Sequence, residues 1–212
     1  MEKIKNIIFD YGNVIFAIDF TIAQKTLTQI GIPNIENFFG HKGHNSLFDE
    51  LETGSITPAQ FRDGIRLEAQ NPALADAEID AAWNSLLIGI VPETLETLVE
   101  AKKHYRTFLL SNTNQIHFDY FTKYLKDEFQ VEGNDHLFEK TYFSHEMLLR
   151  KPHVEIFERV IKENNLNPAE TLFIDDSPQH LVGAKAAELQ TLLMTAHPKD
   201  LGAFLKSNGI LV

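Results

Sequence analysis

Ile4, Ile7, Ile8 and Phe9 open the chain with a short apolar run rich in β-branched and aromatic side chains, and the run stops at Asp10. An uninterrupted run of this kind reads as a strand buried on both faces rather than one. The same signature returns over Thr107–Leu110, Lys140–Phe143, Leu172–Ile174 and Thr191–Met194. Between these runs the apolar positions recur at helical spacing: Glu93–His104 with Leu95, Leu98 and Ala101 on one face, Gln115–Leu125, His153–Asn164 carrying Ile156, Phe157, Val160 and Ile161, Pro178–Leu189 and Leu201–Ser207. Strands alternating with helices predict a parallel sheet with right-handed crossovers, an α/β, Rossmann-like core of three layers.

The stretch from Asp19 to about Leu87 breaks this alternation and predicts helices without a strand. Thr21–Gly31 is amphipathic and closes on Gly31-Ile32-Pro33, and Ser46–Thr53 is a short helix ending at Gly54. Thr57-Pro58 is an N-cap followed by proline at the first helical position, opening a helix to about Ala69. Asp76–Leu87 follows, with Ile79, Ala82, Trp83 and Leu86 at core spacing. Four helices inserted after the first strand make a small bundle. The expected organisation is therefore a core of residues 1–16 and 91–212 with an inserted helical domain over 17–90. Phe16–Asp19 and Gly89–Pro92 are the expected hinges.

Composition narrows the partners. The 212 residues carry 19 Lys and Arg against 30 Asp and Glu, a net charge of −11, which argues against nucleic acid or an anionic membrane as partner. No apolar run approaches the roughly 20 residues that span a bilayer, and no signal-peptide pattern precedes the first strand, so a cytoplasmic protein, a monomer or weak dimer, is expected. Cysteine is absent, which excludes disulfides, thiolate nucleophiles and cysteine metal sites. The nine histidines are scattered, and the pair His41 and His44 has no accompanying His-Glu-x-x-His pattern.

Chemistry-bearing residues collect at the ends of the apolar runs. Asp10 ends the first, Ser111-Asn112-Thr113-Asn114 the second, and Asp175-Asp176 the one over Leu172–Ile174, while Lys151 precedes a helix. Parallel strands bring their carboxyl ends together, so Asp10, Ser111, Asp175 and Asp176 are expected to share one crevice. Three carboxylates that close repel one another unless a cation lies among them, and oxygen ligands suit Mg²⁺. The simpler alternatives are a strand-to-turn exit for Asp10, a helix N-cap for the acidic pair and a solvated helix-start lysine for Lys151.

In this order and spacing the set resembles the haloacid dehalogenase (HAD) superfamily over nearly the whole chain. The resemblance implies that Asp10 is a nucleophile forming an aspartyl-phosphate and that Ser111 and Asn112 contact phosphate. It implies that Lys151 neutralises both Asp10 and the phosphate. Asp10 and Asp176 would hold Mg²⁺ with the carbonyl of Gly12, Asp175 acting from behind them, and the inserted helices would form a cap over the site. The Phe9-Asp10-Tyr11-Gly12-Asn13-Val14 motif is most similar to a bacterial subset that includes a phosphatase of α-D-glucose 1-phosphate. The expected substrate is a small phosphorylated metabolite, a sugar phosphate such as a sugar 1-phosphate. His41, His44 and Asn45, beside Gly40 and Gly43, form a polar loop able to bond sugar hydroxyls, or equally a connecting turn.

One departure matters. Most phosphatases of the superfamily carry a second Asp, the general acid and base, where this chain has Gly12. Asp19, His180 or an ordered water then become the alternative proton donors. Two further readings stay open: a metal-independent 2-haloacid dehalogenase, and a metal- or ligand-binding protein that lost hydrolysis with its acid.

Overall fold

The structure, a computed structural model, describes residues 3–33, 35, 39–40, 43–44, 46–131 and 136–212, and of residues 39, 40, 43 and 44 the backbone alone. The chain opens with β1 (Asn6–Phe9), β2 (Ala17–Ile18) and α1 (Phe20–Gln29). Next come β3 (Phe39–Gly40), β4 (Gly43–His44), α2 (Ser46–Glu52), α3 (Pro58–Glu68), α4 (Asp76–Asn84) and β5 (Leu87–Gly89). The alternating half comprises α5 (Pro92–His104), β6 (Arg106–Ser111), α6 (Gln115–Phe129), β7 (Lys140–Phe143), α7 (Ser144–Met147) and α8 (Val154–Glu163). It closes with β8 (Thr171–Asp175), α9 (Pro178–Ala186), β9 (Gln190–Leu193) and α10 (Leu201–Ser207).

Five strands form a parallel sheet in the order β7-β6-β1-β8-β9. The predicted α/β, three-layer architecture is the one observed. Alternate residues of β1 face opposite sides: Ile7 and Phe9 enter one apolar cluster with Leu109 and Ile174, while Ile8 enters the other with Phe108, Leu110 and Phe173. All are fully buried, which is why these strands read as continuous apolar runs instead of alternating ones.

β1 is central, and the chain runs outward through β6 and β7 before returning to β8 on its other side. Register decides which side chains meet at the strand ends. Phe9 lies level with Leu109 on β6 and with Ile174 on β8, so the next residues, Asp10, Leu110 and Asp175, are level too. The carboxyl ends at this reversal of strand order are where open α/β sheets bind ligands.

Helices α1–α4 bury a separate cluster that includes Leu27, Phe48, Phe61 and Trp83, joined by Ile116 from α6. Helix α3 starts where Thr57 and Gln60 cap reciprocally, with Pro58 in the first turn. Two short pairings accompany these helices, and that of β3 with β4 corrects the expectation of a strand-free stretch from Asp19 to about Leu87. β3 pairs with β4, and β2 pairs antiparallel with β5, so the stretches where the chain leaves and re-enters the sheet domain are bonded to each other. Strands of two or three residues present no periodicity to read, and their existence depends on a partner far along the chain. The four-residue helix α7 is likewise too short to show a period. No helix among the described residues is long and apolar enough to cross a membrane.

Candidate active site

Asp10 leaves β1 with its amide donating to the carbonyl of Ile174 at 2.9 Å, which locks the end of β1 to β8. The chain then turns tightly: the amides of Ile15 and Phe16 both donate to the carbonyl of Tyr11, and Asn13 adopts φ 54°. Asparagine tolerates this left-handed conformation better than most residues. Asn13 Oδ1 accepts from the amide of Ile18 at 3.1 Å, and its side chain also donates to Asp176.

Carboxylate oxygens of Asp10, Asp175 and Asp176 lie within 4.8 Å of one another. Lys151 is buried behind them, its Nζ donating to Asp10 Oδ1 at 2.5 Å and to Asp175 Oδ2 at 2.7 Å. Asp175 accepts further bonds from the amide of Ser177 at 2.8 Å and from Nδ1 of His180 at 2.9 and 3.0 Å. Both its oxygens are thus occupied by side-chain and backbone donors.

The electrostatics come from three carboxylates sharing one buried ammonium. Burial drives the Asp10 carboxyl up to about 8 against the pull of Lys151, with Asp175 and Asp176 adding to the rise. Burial would raise Asp175 as well, but Lys151 and His180 hold it down at about 2. Asp176 is raised by burial and by Asp175. Lys151 is desolvated, yet Asp10 and Asp175 keep it firmly protonated. Three carboxylates cannot all ionise against one ammonium here, and a divalent cation held by oxygen ligands would supply the missing positive charge and return Asp10 to its ionised form.

The hydroxyl of Ser111 lies at the end of β6, 3.4 Å from the carbonyl of Asn112. The carboxamide of Asn112 is turned onto Lys151: Oδ1 accepts from its amide at 2.9 Å and Nδ2 donates to its carbonyl at 3.0 Å. Behind this loop Ser144 clamps Thr113, its Oγ accepting from the Thr113 amide at 2.9 Å and donating to the Thr113 carbonyl at 2.8 Å.

These groups open onto a cavity of about 680 Å³ between the strand ends and the helical insertion. Asp10, Gly12, Ser111, Asn112, Asp176 and His180 line its floor. Tyr11, Phe16, Phe20, Phe121 and Trp83 form apolar walls, and Trp83 stacks on His117 with ring centroids 4.6 Å apart. From the insertion, Asp49 and Glu52 of α2 reach the cavity and pair with Arg150, the Glu52 contact at 3.0 Å.

A model of the haloacid dehalogenase-like hydrolases matches residues 4–188. The chain belongs to this family. Among HAD-like relatives, a D-ribitol-5-phosphate phosphatase of Bacteroides thetaiotaomicron is 30% identical over 89% of this chain and 90% of its own. A glyceraldehyde 3-phosphate phosphatase of Pyrococcus furiosus is 28% identical over 91% of this chain and 81% of its own. Among solved structures, a HAD family enzyme of Bacteroides thetaiotaomicron in complex with magnesium and inorganic phosphate superposes with TM-score 0.81 at 38% identity, covering 91% of this chain and 95% of that one.

The HAD-like fold therefore gathers Asp10, Gly12, Ser111, Asn112, Lys151, Asp175 and Asp176 around one crevice. His41 and Asn45 lie outside the described residues. The backbone of His44 pairs with Phe39, and its side chain lies outside the described residues. Asp19, a proton donor on the sequence reading, instead caps α1 through a 2.8 Å bond from the Thr21 amide and is not among the residues lining the cavity. Sequence reasoning gave no role to Asn13, Asp49 or Glu52. Asn13 stands inside the same motif as Asp10, whereas nothing near Asp49 and Glu52 in the sequence distinguishes them from solvated helix carboxylates.

Proposed function

We propose that the chain is a Mg²⁺-dependent phosphatase of small sugar or sugar-alcohol phosphates that works through Asp10. The observation carrying this reading is the packing of Asp10, Asp175 and Asp176 oxygens within 4.8 Å beside a lysine that bonds two of them. A haloacid dehalogenase has no use for a cation site, so the clustered acids favour phosphate over halocarbon. The magnesium and phosphate bound by the Bacteroides enzyme, and the phosphatase relatives, support the same choice.

Asp10, Asp176 and the carbonyl of Gly12 would hold the cation, which supplies charge neutralisation for the phosphoryl oxygens. Asp10 attacks phosphorus, the bond from phosphorus to the ester oxygen breaks, and the leaving oxygen takes a proton from water or from His180 at the cavity floor. Water then attacks the phosphorus of the aspartyl-phosphate, releasing inorganic phosphate and restoring the carboxylate. Ser111 donates to a phosphoryl oxygen. Lys151 offsets the charge of Asp10 and phosphate, held in place by Asp175 and by Asn112, whose carboxamide serves the lysine backbone. Catalysis of this kind is largely positioning and electrostatics.

Without a carboxylic acid at position 12 the departing oxygen must bear much of its own charge, which favours the more acidic anomeric oxygen of a sugar 1-phosphate, whereas the relatives' named substrates are phosphorylated at a terminal carbon. Phosphate release with Mg²⁺ and with EDTA, from α-D-glucose 1-phosphate, D-ribitol 5-phosphate, glyceraldehyde 3-phosphate and phenyl phosphate, tests the reading and ranks the class. Metal-dependent release is expected. Halide release from 2-chloropropionate without metal would replace it with the dehalogenase reading, and binding of Mg²⁺ and phosphate without turnover would leave a binding protein.

A further inference from the structure

Resting on that phosphatase reading, we infer that Asp49 and Glu52, braced across the cavity by Arg150, select a leaving group that is neutral and bears hydroxyls. Arg150 directly precedes Lys151, so the backbone that sets the ammonium behind Asp10 also delivers a guanidinium to the cavity. Asp49 and Glu52 stand three residues apart on α2, hence on one helix face, and both meet this guanidinium. The side chains of Glu52 and Arg150 are 12% and 21% exposed, so the pair is largely removed from bulk water.

The charge balance decides what fits. The phosphate end of a substrate is served by the strand-end acids, a cation and Lys151. The remainder meets two carboxylates against one guanidinium, and among the described residues lining the cavity Arg150 is the permanent cation. A carboxylate or second phosphate there would face both acids and compete with them for one guanidinium, a cost largest at Glu52, since the Asp49 side chain is 41% exposed. A hydroxyl instead donates to a carboxylate oxygen and leaves the ion pairs standing. Because α2 belongs to the insertion and Arg150 to the sheet domain, these contacts also span the two sides of the cavity. Selectivity here comes mainly from what the acids reject.

The test compares kcat/KM for D-ribitol 5-phosphate and D-ribonate 5-phosphate, which differ in a terminal hydroxymethyl against a carboxylate, with Mg²⁺ present. The wild-type protein is expected to favour the polyol by roughly tenfold or more, since one added charge must approach two like charges. The double variant Asp49→Asn with Glu52→Gln should narrow this ratio, and Glu52→Gln alone should narrow it in part. Equal kcat/KM in the wild type, or an unchanged ratio in a folded double variant, overturns the inference. Should the double variant fail to fold, the wild-type ratio decides alone. Phenyl phosphate reports on the reading beneath: failure to release phosphate from it as well would overturn the phosphatase assignment itself.

Discussion

Asn112 grips Lys151 by the backbone, accepting from its amide at 2.9 Å and donating to its carbonyl at 3.0 Å. The two residues are 39 positions apart, so this double bond ties the loop after β6 to the loop before α8. The lysine ammonium then has a fixed origin from which to reach Asp10 and Asp175. Asn112→Ala should lower kcat by roughly 10- to 100-fold, the usual cost of releasing a group that orients a reacting one. Asn112→Asp should be no better, because a carboxylate oxygen would face the Lys151 carbonyl where a donor stood. Steady-state kinetics on phenyl phosphate, with circular dichroism to verify folding, checks both; wild-type turnover in Asn112→Ala would show that the clamp is dispensable.

The two neighbouring acids at the end of β8 should differ in metal binding. Asp175 has its oxygens taken by Lys151, Ser177 and His180, whereas Asp176 lines the cavity and accepts from Asn13. Asp176→Asn is expected to abolish measurable Mg²⁺ binding. Asp175→Asn should weaken it by roughly 10- to 100-fold, through misplacement of its neighbours. Calorimetric titration of Mg²⁺ into each variant separates the cases, and the reverse order would exchange the two roles.

His117 makes the stability of the fold depend on pH. It lies on the buried face of α6 against Trp83 of α4, where burial lowers its pKa from the ordinary 6.5 to about 3 despite a bond to the Trp83 carbonyl at 3.3 Å. Between these values the unfolded chain binds a proton that the folded chain refuses. The contribution is therefore complete above pH 6.5, and acidification erodes it through the window down to about 3. Each pH unit inside that window costs about 1.4 kcal/mol. Going from pH 7 to pH 5, wild type should lose about 2 kcal/mol more than His117→Gln. Urea denaturation of both at the two pH values measures this, and parallel losses would mean that His117 is not the group responsible.

What the sequence discloses and what it hides divide along the distance over which each feature is specified. The apolar runs before Asp10, Ser111 and Asp175 are local, and a strand buried on both faces leaves no other pattern, so the site's floor was legible; Lys140–Phe143 coincides with β7 residue for residue. The pairing of β2 with β5 was not, since Ala17 and Gly89 carry no mark of their mutual bond. Asp49 and Arg150 are 101 residues apart, and Asp49 alone resembles any solvated surface charge. The bonds of Asn112 to the Lys151 backbone likewise depend on a loop that only folding brings near. Asp19 shows the opposite case: its capping role is local to Asp19-Phe20-Thr21, whereas its distance from the cavity is set by the fold.

Gly12 offers the sharpest test of how the leaving group is served. Its φ lies outside the left-handed range that disfavours a side chain. A Cβ at this position would come within 2.9 Å of Cδ1 of Ile18, the far end of a flexible side chain that can rotate away. Gly12→Asp should therefore fold and bring a carboxyl group into the cavity beside Asp10. A positioned general acid contributes roughly 10²–10⁴ in rate when the departing oxygen is a poor leaving group, and little when it is a good one. The wild-type protein should accordingly hydrolyse phenyl phosphate faster than alkyl esters, with sugar 1-phosphates between them. In Gly12→Asp the alkyl esters should gain most, flattening the dependence of log kcat on leaving-group pKa. A wild-type dependence that is already flat would mean that another cavity residue donates the proton, and the variant would then gain nothing on alkyl substrates.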